Sequence, residues 1–577
     1  MAASRAAGST QRRALQPRDG YRTRARAKVY LKDPQFFPQK GPVGEAIVGG
    51  DTSIAPGPTS SRFMVVDYDA SADRAYAPTP LGPERVESWS QGRGELLIDF
   101  AAKAGTRQEA QINAWATAVD TLDLFEQATV LGREVPWAFE GSRLRILPQA
   151  MFDANAFYSR HTRALHFGYF RAKKGGTIKT CLSHDIVAHE TAHAILDGLR
   201  PFYLESLHPD ALAFHEYVGD AAAMLSLFRQ EGFIAHLAKL PVETRSFFNL
   251  VTELAPQVGL GIYGDADRAA LRSARNQLTY RDVRNESEPH RRSQVLSGLA
   301  FAVFEGLMRR RIDAAKQAEK RERKQGLYAQ LLTTARHTLR MLLRPIDLLP
   351  PGSISFPEYA STCLRIDLRA HPEDRLGYRK VLEAALRQRG LHPDQQREAL
   401  QDETEMPANR RLREREIAMI RSSRVGAYRF LDANRKLFGI PRERDFRVVG
   451  IGTNRRELDY GTRAVPETIV QYVWEEAVPL PADARTTAID HVVLRAGGTL
   501  AVDENVNLVH WSRQRATTER KDELKARAAR LVQDRAIDFE PIRGIVGSRP
   551  YLAQRDGAGA LRLMANTARM HRGRGAV

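Results

Sequence analysis

Ser183-His184-Asp185-Ile186-Val187-Ala188-His189-Glu190-Thr191-Ala192-His193-Ala194-Ile195-Leu196-Asp197-Gly198 holds a His-Glu-x-x-His pattern. On a helix, residues four apart share a face, so His189 and His193 aim both imidazoles at one point. Neutral ring nitrogens at that spacing suit Zn2+. Glu190, one step round the helix, stands beside such an ion, where a carboxylate can take a proton from a water at the metal. The local residues support a helix: Ser183 is a good N-cap, Asp185 puts negative charge in the first turn, and Gly198 followed by Pro201 reads as the stop. Ile186, Val187, Ala188, Ala192, Ile195 and Leu196 would surround the site with apolar material.

Two histidines leave the shell short of the three protein ligands of a catalytic zinc, whose fourth position is kept for water. A third histidine six residues on is excluded, because Leu199 stands there. Farther along, in Phe214-His215-Glu216-Tyr217-Val218-Gly219-Asp220, Glu216 and Asp220 sit one helical turn apart. One carboxylate could bind the metal while the other accepts the outer N–H of a ligand histidine, fixing its tautomer. Glu205, His208, Asp210 and His215 compete for the third place, but Glu216 has the paired Asp.

At these residues the chain resembles the thermolysin-like zinc metallopeptidases, or gluzincins, whose third ligand is a Glu on the following helix with an Asp one turn later. The resemblance covers roughly residues 60–395 and is strongest over 150–300. It implies an α+β, zincin-like fold, with a mixed β-sheet lobe, a helical lobe and the zinc helix between them. It further implies one catalytic Zn2+ on His189, His193 and Glu216, with Asp220 orienting a ligand His, Glu190 as general base, and a peptide or protein substrate. Asn155-Ala156-Phe157-Tyr158 looks like the family's substrate-binding segment, so Asn155 and Ala156 would hold the substrate backbone. Ala164 to Phe170 alternates as an edge strand would. The run from Glu288 through His290 to Phe301 resembles the segment with the catalytic His, making His290 the oxyanion donor. Ala270-Leu271-Arg272-Ser273 resembles a run whose Arg holds the substrate carbonyl, here Arg272. Asp185 matches a position that helps bind calcium in the family. Leu227, however, stands where the later acidic cluster would begin, which argues against a structural Ca2+ site. Asn285, Glu286 and Glu288 precede His290 where the family has an orienting Asp, and the choice among them stays open.

A chain of 577 residues is too long for one core, so several domains are expected. Two cysteines, Cys181 and Cys363, cannot build a disulfide framework, which favours a reducing compartment. No stretch is apolar for long enough to span a bilayer, and the start lacks an apolar signal region, so the expectation is a cytoplasmic protein without membrane insertion. The net charge of +18 would favour an acidic partner or nucleic acid. The positive residues are nevertheless spread through mixed-sign stretches, and solvated surface is the default reading.

The expected organisation begins with a basic, disordered arm over residues 1–60 and a mixed sheet lobe over 61–200 that ends in the zinc helix. A helical lobe follows over 201–400, then a charged linker or helix over 401–425. Residues 426–555 read as an α+β accessory domain, with a hairpin turning at Gly497-Gly498, and 556–577 as a basic tail.

Overall fold

Two sheets and a buried helix set the His-Glu-x-x-His helix in place. The computed structural model describes residues 21–35, 44–48, 54–90, 93–241, 244–265, 270–317, 326–392, 413–456, 466–485, 490–505, 507–514, 517–538, 549–555 and 561–570. The chain opens with β1 (Tyr21–Val29) and β2 (Gly44–Val48), continues through β3 (Phe63–Val65) and a ribbon of β4 (Tyr68–Asp69) and β5 (Arg74–Ala75), and reaches β6 (Glu84–Ser90) and β7 (Arg93–Phe100). Four of these form a sheet in the order β2-β1-β7-β6. The expected disordered arm is therefore corrected over residues 21–35, 44–48 and 54–60. Thr23, Ala25, Ala27 and Val29 are buried while Lys28 between them is exposed, a period-two pattern that the overall basic composition concealed. Residues 1–20 lie outside the described residues.

Helix α1 (Arg107–Glu126) starts at Thr106, whose hydroxyl accepts from the Glu109 N–H, and it is buried on most of its surface, with Trp115 fully enclosed. After it come β8 (Leu144–Phe152), β9 (Ala156–Ser159), β10 (Ala164–Arg171) and β11 (Thr177–Lys179). With β3 they form a five-stranded sheet in the order β11-β10-β8-β3, with β9 added on β10. The expectation that Ala164 to Phe170 is an edge strand is corrected: β10 has β8 on one side and β9 and β11 on the other. Among the described residues β9 pairs β10 alone, so the edge is β9.

Helix α2 (His184–Leu199) is the quoted stretch. Ser183 takes the N-cap position, but its hydroxyl makes no capping bond. Gly198 is not the stop, since the helix runs through it to Leu199 and ends at Arg200. Its missing side chain serves packing: a Cβ there would lie 1.7 Å from the Pro136 carbonyl oxygen. Helix α3 (Pro209–Ser226) follows, with Pro209 in its first turn and His208 as N-cap.

The next part is mainly helical: α4 (Glu231–Leu237), α5 (Arg245–Thr252), α6 (Pro256–Tyr263), α7 (Pro289–Gln317), α8 (Leu327–Leu342), α9 (Phe356–Ala370) and α10 (Tyr378–Gln388), with the short pair β12 (Glu253–Leu254) and β13 (Arg272–Ser273). The charged run from Arg309 continues α7, and its residues 318–325 lie outside the described residues, as do 401–412 of the expected linker. Helices α11 (Glu414–Ser422) and α12 (Arg424–Ala433) lead into β14 (Phe446–Asn454), β15 (Glu467–Pro479), β16 (His491–Asp503) and β17 (Leu508–Gln514). Helix α13 (Thr518–Gln533), β18 (Ile537–Asp538), β19 (Tyr551–Arg555), β20 (Leu561–Ala565) and α14 (Thr567–Met570) complete the described chain.

Two expectations fail in this last part. Gly497 and Gly498 are not a turn: β16 runs straight through them, paired with Val473 and Tyr472 of β15. A Cβ on Gly497 would meet the Tyr472 carbonyl oxygen at 2.1 Å, and one on Gly498 the Tyr472 hydroxyl at 2.5 Å, so close approach explains the glycines. The basic tail is also structured in part, because β20 pairs antiparallel with β19; residues 571–577 lie outside the described residues. One apolar core runs from Ala25 through the helices to Ala565, and a smaller one lies between α11, α12 and the β14–β17 face. The architecture mixes helices with several separate sheets, and no helix of the described residues is long and apolar enough to cross a membrane.

Candidate metal centre

Helices α2 and α3 cross where α3 has no side chain. A Cβ on Gly219 would lie 2.4 Å from Nδ1 of His189, so glycine lets α3 come close enough to present Glu216 and Asp220 on either side of that ring. His189 and His193 stand edge to face, ring centroids 4.6 Å apart. Nε2 of His189 is 3.3 Å from Oε2 of Glu216, and Nε2 of His193 is 3.5 Å from Oε1. Nδ1 of His189 faces Oδ1 of Asp220 at 3.2 Å, and the Ser297 hydroxyl donates to Oδ2 of Asp220 at 2.8 Å.

His189, Glu190 and His193 form a buried group able to hold a metal ion, their ligand atoms within 4.8 Å of one another. Two carboxylates stand by the imidazole pair, and geometry separates them. Glu216 turns both oxygens to the two Nε2 atoms. Corners of a tetrahedron with bonds of about 2.0 to 2.1 Å lie about 3.3 to 3.4 Å apart, close to the separations seen here. Glu190 instead accepts the Tyr158 N–H at Oε2, 3.0 Å away, which holds it to one side. Burial pushes the Glu190 carboxyl up to about 8, with the charge on His189 opposing and that on Glu216 adding to the rise. Burial alone would lower His189, but its hydrogen bonds to Asp220 and Glu216 outweigh it and raise the ring to about 9. The pocket thus favours positive charge, which together with two imidazoles and a carboxylate fits a divalent cation.

His290 lies at the start of α7 with Nε2 3.0 Å from Oε2 of Glu216. Its Nδ1 is 2.6 Å from Oε1 of Glu288, so of the three acidic or amide candidates Glu288 is the one in contact. Arg272, on β13, donates from Nη1 to Oε2 of Glu216 at 3.1 Å, and its Nη2 lies 3.1 Å from Oδ1 of Asp220. The side chains of His290 and Arg272 are 20 % and 18 % exposed, whereas the ligand side chains are buried, so the centre opens on their side. No family model matches the chain, and no curated protein matches it. What this centre does must therefore be argued from its chemistry.

The competitors for the third ligand are engaged elsewhere. Glu205 binds Arg160 and Arg495, His208 accepts the Asp210 N–H, and Asp210 holds Arg292. His215 is buried beside His193, ring centroids 5.7 Å apart, and burial pushes it down to about 3.

Strand β9 is tied to α2 by Tyr158, whose N–H meets Glu190 and whose hydroxyl donates to Oδ2 of Asp197 at 2.8 Å. Asn155 and Ala156 are both buried at the start of this edge. The structure thus brings His189, Glu190, His193, Glu216, Asp220, Arg272 and His290 to one place, while Asn155 and Ala156 lie on β9, which reaches Glu190 through Tyr158. Asp185 meets a cation of a different kind from the calcium considered above: Lys32 puts its ammonium 2.8 Å from Oδ2 of Asp185 and donates to the Glu253 carbonyl at 2.7 Å. Lys32, Tyr158, Gly219 and Ser297 escaped the sequence reading. A glycine between Glu216 and Asp220 was the one local signal available; the others depend on distant contacts.

Proposed function

We propose that this chain is a zinc metallopeptidase of the thermolysin-like, zincin-fold type. The observation that carries the reading is the convergence of both Nε2 atoms of His189 and His193 on the two oxygens of Glu216, with Glu190 held alongside. Zn2+ bound there would polarise a scissile carbonyl and bring the pKa of a water to near neutrality. Glu190, held beside the pair by the Tyr158 N–H, would be ionised next to the cation, take a proton from that water and deliver it to the leaving amine. His290, steadied by Glu288, donates from Nε2 to the oxygen that gains charge. Asp220 keeps the outer nitrogen of His189 occupied, which aims the other at the metal. Asn155, Ala156 and Arg272 hold the peptide backbone beside β9.

A second reading rests on the Arg272 contact with Glu216: the guanidinium supplies positive charge to the cluster, and the site binds peptide without cleaving it. Metal content by mass spectrometry separates the two. About one zinc per chain, lost in Glu216→Ala, with hydrolysis of a mixed peptide library lost in Glu190→Gln at unchanged zinc, is the expected result. General-base removal should cost about 10²- to 10⁴-fold in rate. Absence of zinc from wild-type protein purified without chelators would overturn the peptidase reading.

A further inference from the structure

The edge of β9 already has an occupant. In an antiparallel pair successive residues turn their N–H and C=O groups alternately toward the partner and away from it. The Asn155 carbonyl accepts from Gly168 N–H, on the β10 side. Ala156 and Tyr158 therefore turn theirs outward, toward Glu190 and the open edge. The outward Tyr158 carbonyl accepts the hydroxyl of Thr567. The Asn155 side chain donates from Nδ2 to the Ala568 carbonyl at 3.2 Å, and Ala568 is buried. Tyr158 thus carries Glu190 on its N–H and the segment after β20 on its C=O.

The segment is delivered from a firm anchor. β20 pairs with β19 over five residues, the Ala565 N–H donates to the Leu204 carbonyl at 2.7 Å, and the Asn566 N–H donates to the Pro550 carbonyl at 2.8 Å. From there Thr567 and Ala568 reach a strand more than 400 positions earlier in the chain. A cover for a bare strand edge could bond anywhere along it. This one, the first turn of α14, takes the backbone carbonyl next to the Glu190 contact and the side-chain amide of Asn155, so a peptide laid along this edge would have to displace it.

We propose that Ala565–Met570 is an internal occupant of the peptide groove and competes with any peptide that binds the β9 edge. The inference rests on the proposed function only for the consequence, a catalytic centre held latent; the occupancy rests on the contacts of Asn155 and Tyr158. The test uses the full chain in a Glu190→Gln background, which keeps a peptide probe intact. The probe is a fluorescein-labelled hexapeptide with the sequence of residues 565–570, read by fluorescence anisotropy. Ala568→Trp, too bulky for the buried position, is expected to bind it at least tenfold more tightly than its parent. Thr567→Val, which removes only one hydroxyl donor, is expected to gain about three- to tenfold. Hydrogen exchange should rise at residues 566–570 in both variants and stay unchanged in α2 and α3. Equal probe affinity in a variant whose segment exchanges faster would overturn the proposal. Hydrolysis by the same tail variants with Glu190 restored is a separate arm: tighter probe binding with no turnover in any of them keeps the occupancy and rejects the peptidase reading.

Discussion

Lys32 shows how one side chain can replace a bound ion. Its ammonium reaches both Asp185 and the Glu253 carbonyl, and the Ala255 N–H adds a neutral donor 3.0 Å from Oδ2 of Asp185. Burial alone would raise Asp185, but Lys32 outweighs it and holds the carboxyl below its usual range. Breaking a buried ion pair by removing one partner leaves an uncompensated charge and costs about 3 to 5 kcal/mol. Lys32→Met is expected to lose about that much stability in urea denaturation. Millimolar Ca2+ should leave the melting temperature of the wild type where it is, because the position beside Asp185 is already filled by a cation. A clear rise in melting temperature with Ca2+ would mean that the chain binds calcium after all. The sequence reading found the gap in the acidic cluster at Leu227 but not the lysine, which lies 153 positions before Asp185.

Several close approaches in this chain are set by glycines that look like punctuation in the sequence. Gly198 and Gly497-Gly498 read as a stop and a turn, yet each lies inside a regular element against a neighbouring backbone or side chain. Periodicity identifies the element; it carries no information on what packs 2 Å away from a missing Cβ. The functional case is Gly219. Gly219→Ala would drive a methyl into the His189 ring and force α3 outward, carrying Glu216 and Asp220 with it. A loss of about 10- to 100-fold in zinc affinity, measured by chelator competition, is expected, with a stability cost of about 1 to 3 kcal/mol from overpacking. Unchanged affinity would show that α2 and α3 can part without disturbing the ligands.

Across the molecule, Asp347 joins the two halves of the chain. Its carboxylate pairs with Arg133, after α1, at 2.6 Å and with Arg456, after β14, at 2.8 Å. Burial would raise it, but the two guanidinium groups prevail and hold it down at about 2, against an ordinary value of 3.8. A folded pKa below the unfolded one adds stability that is present above about pH 4 and is lost as the pH falls through about 2. The contribution is about 2 kcal/mol. The urea midpoint of the wild type should therefore fall between pH 4 and pH 2 more steeply than that of Asp347→Asn, which is already weaker at neutral pH. Parallel acid profiles would remove Asp347 as the tie. The core that encloses α2 and α3 also includes Val492, Leu524 and Leu563 from the last part of the chain.

The sequence by itself determined what depends on near neighbours: the helix α2, and on it two histidines one turn apart in a group able to hold a metal ion. It also placed Glu216, Asp220, Arg272 and His290 as candidates, because their spacing along the chain resembles a known arrangement. Only the tertiary structure decided which atoms meet: Glu216 against both imidazoles, Glu288 against His290, Lys32 against Asp185, and Thr567 against Tyr158. The physical reason is range. Helix and strand propensities act within a few residues, whereas an edge strand, a buried ion pair and a filled groove are properties of segments that packing alone brings into contact.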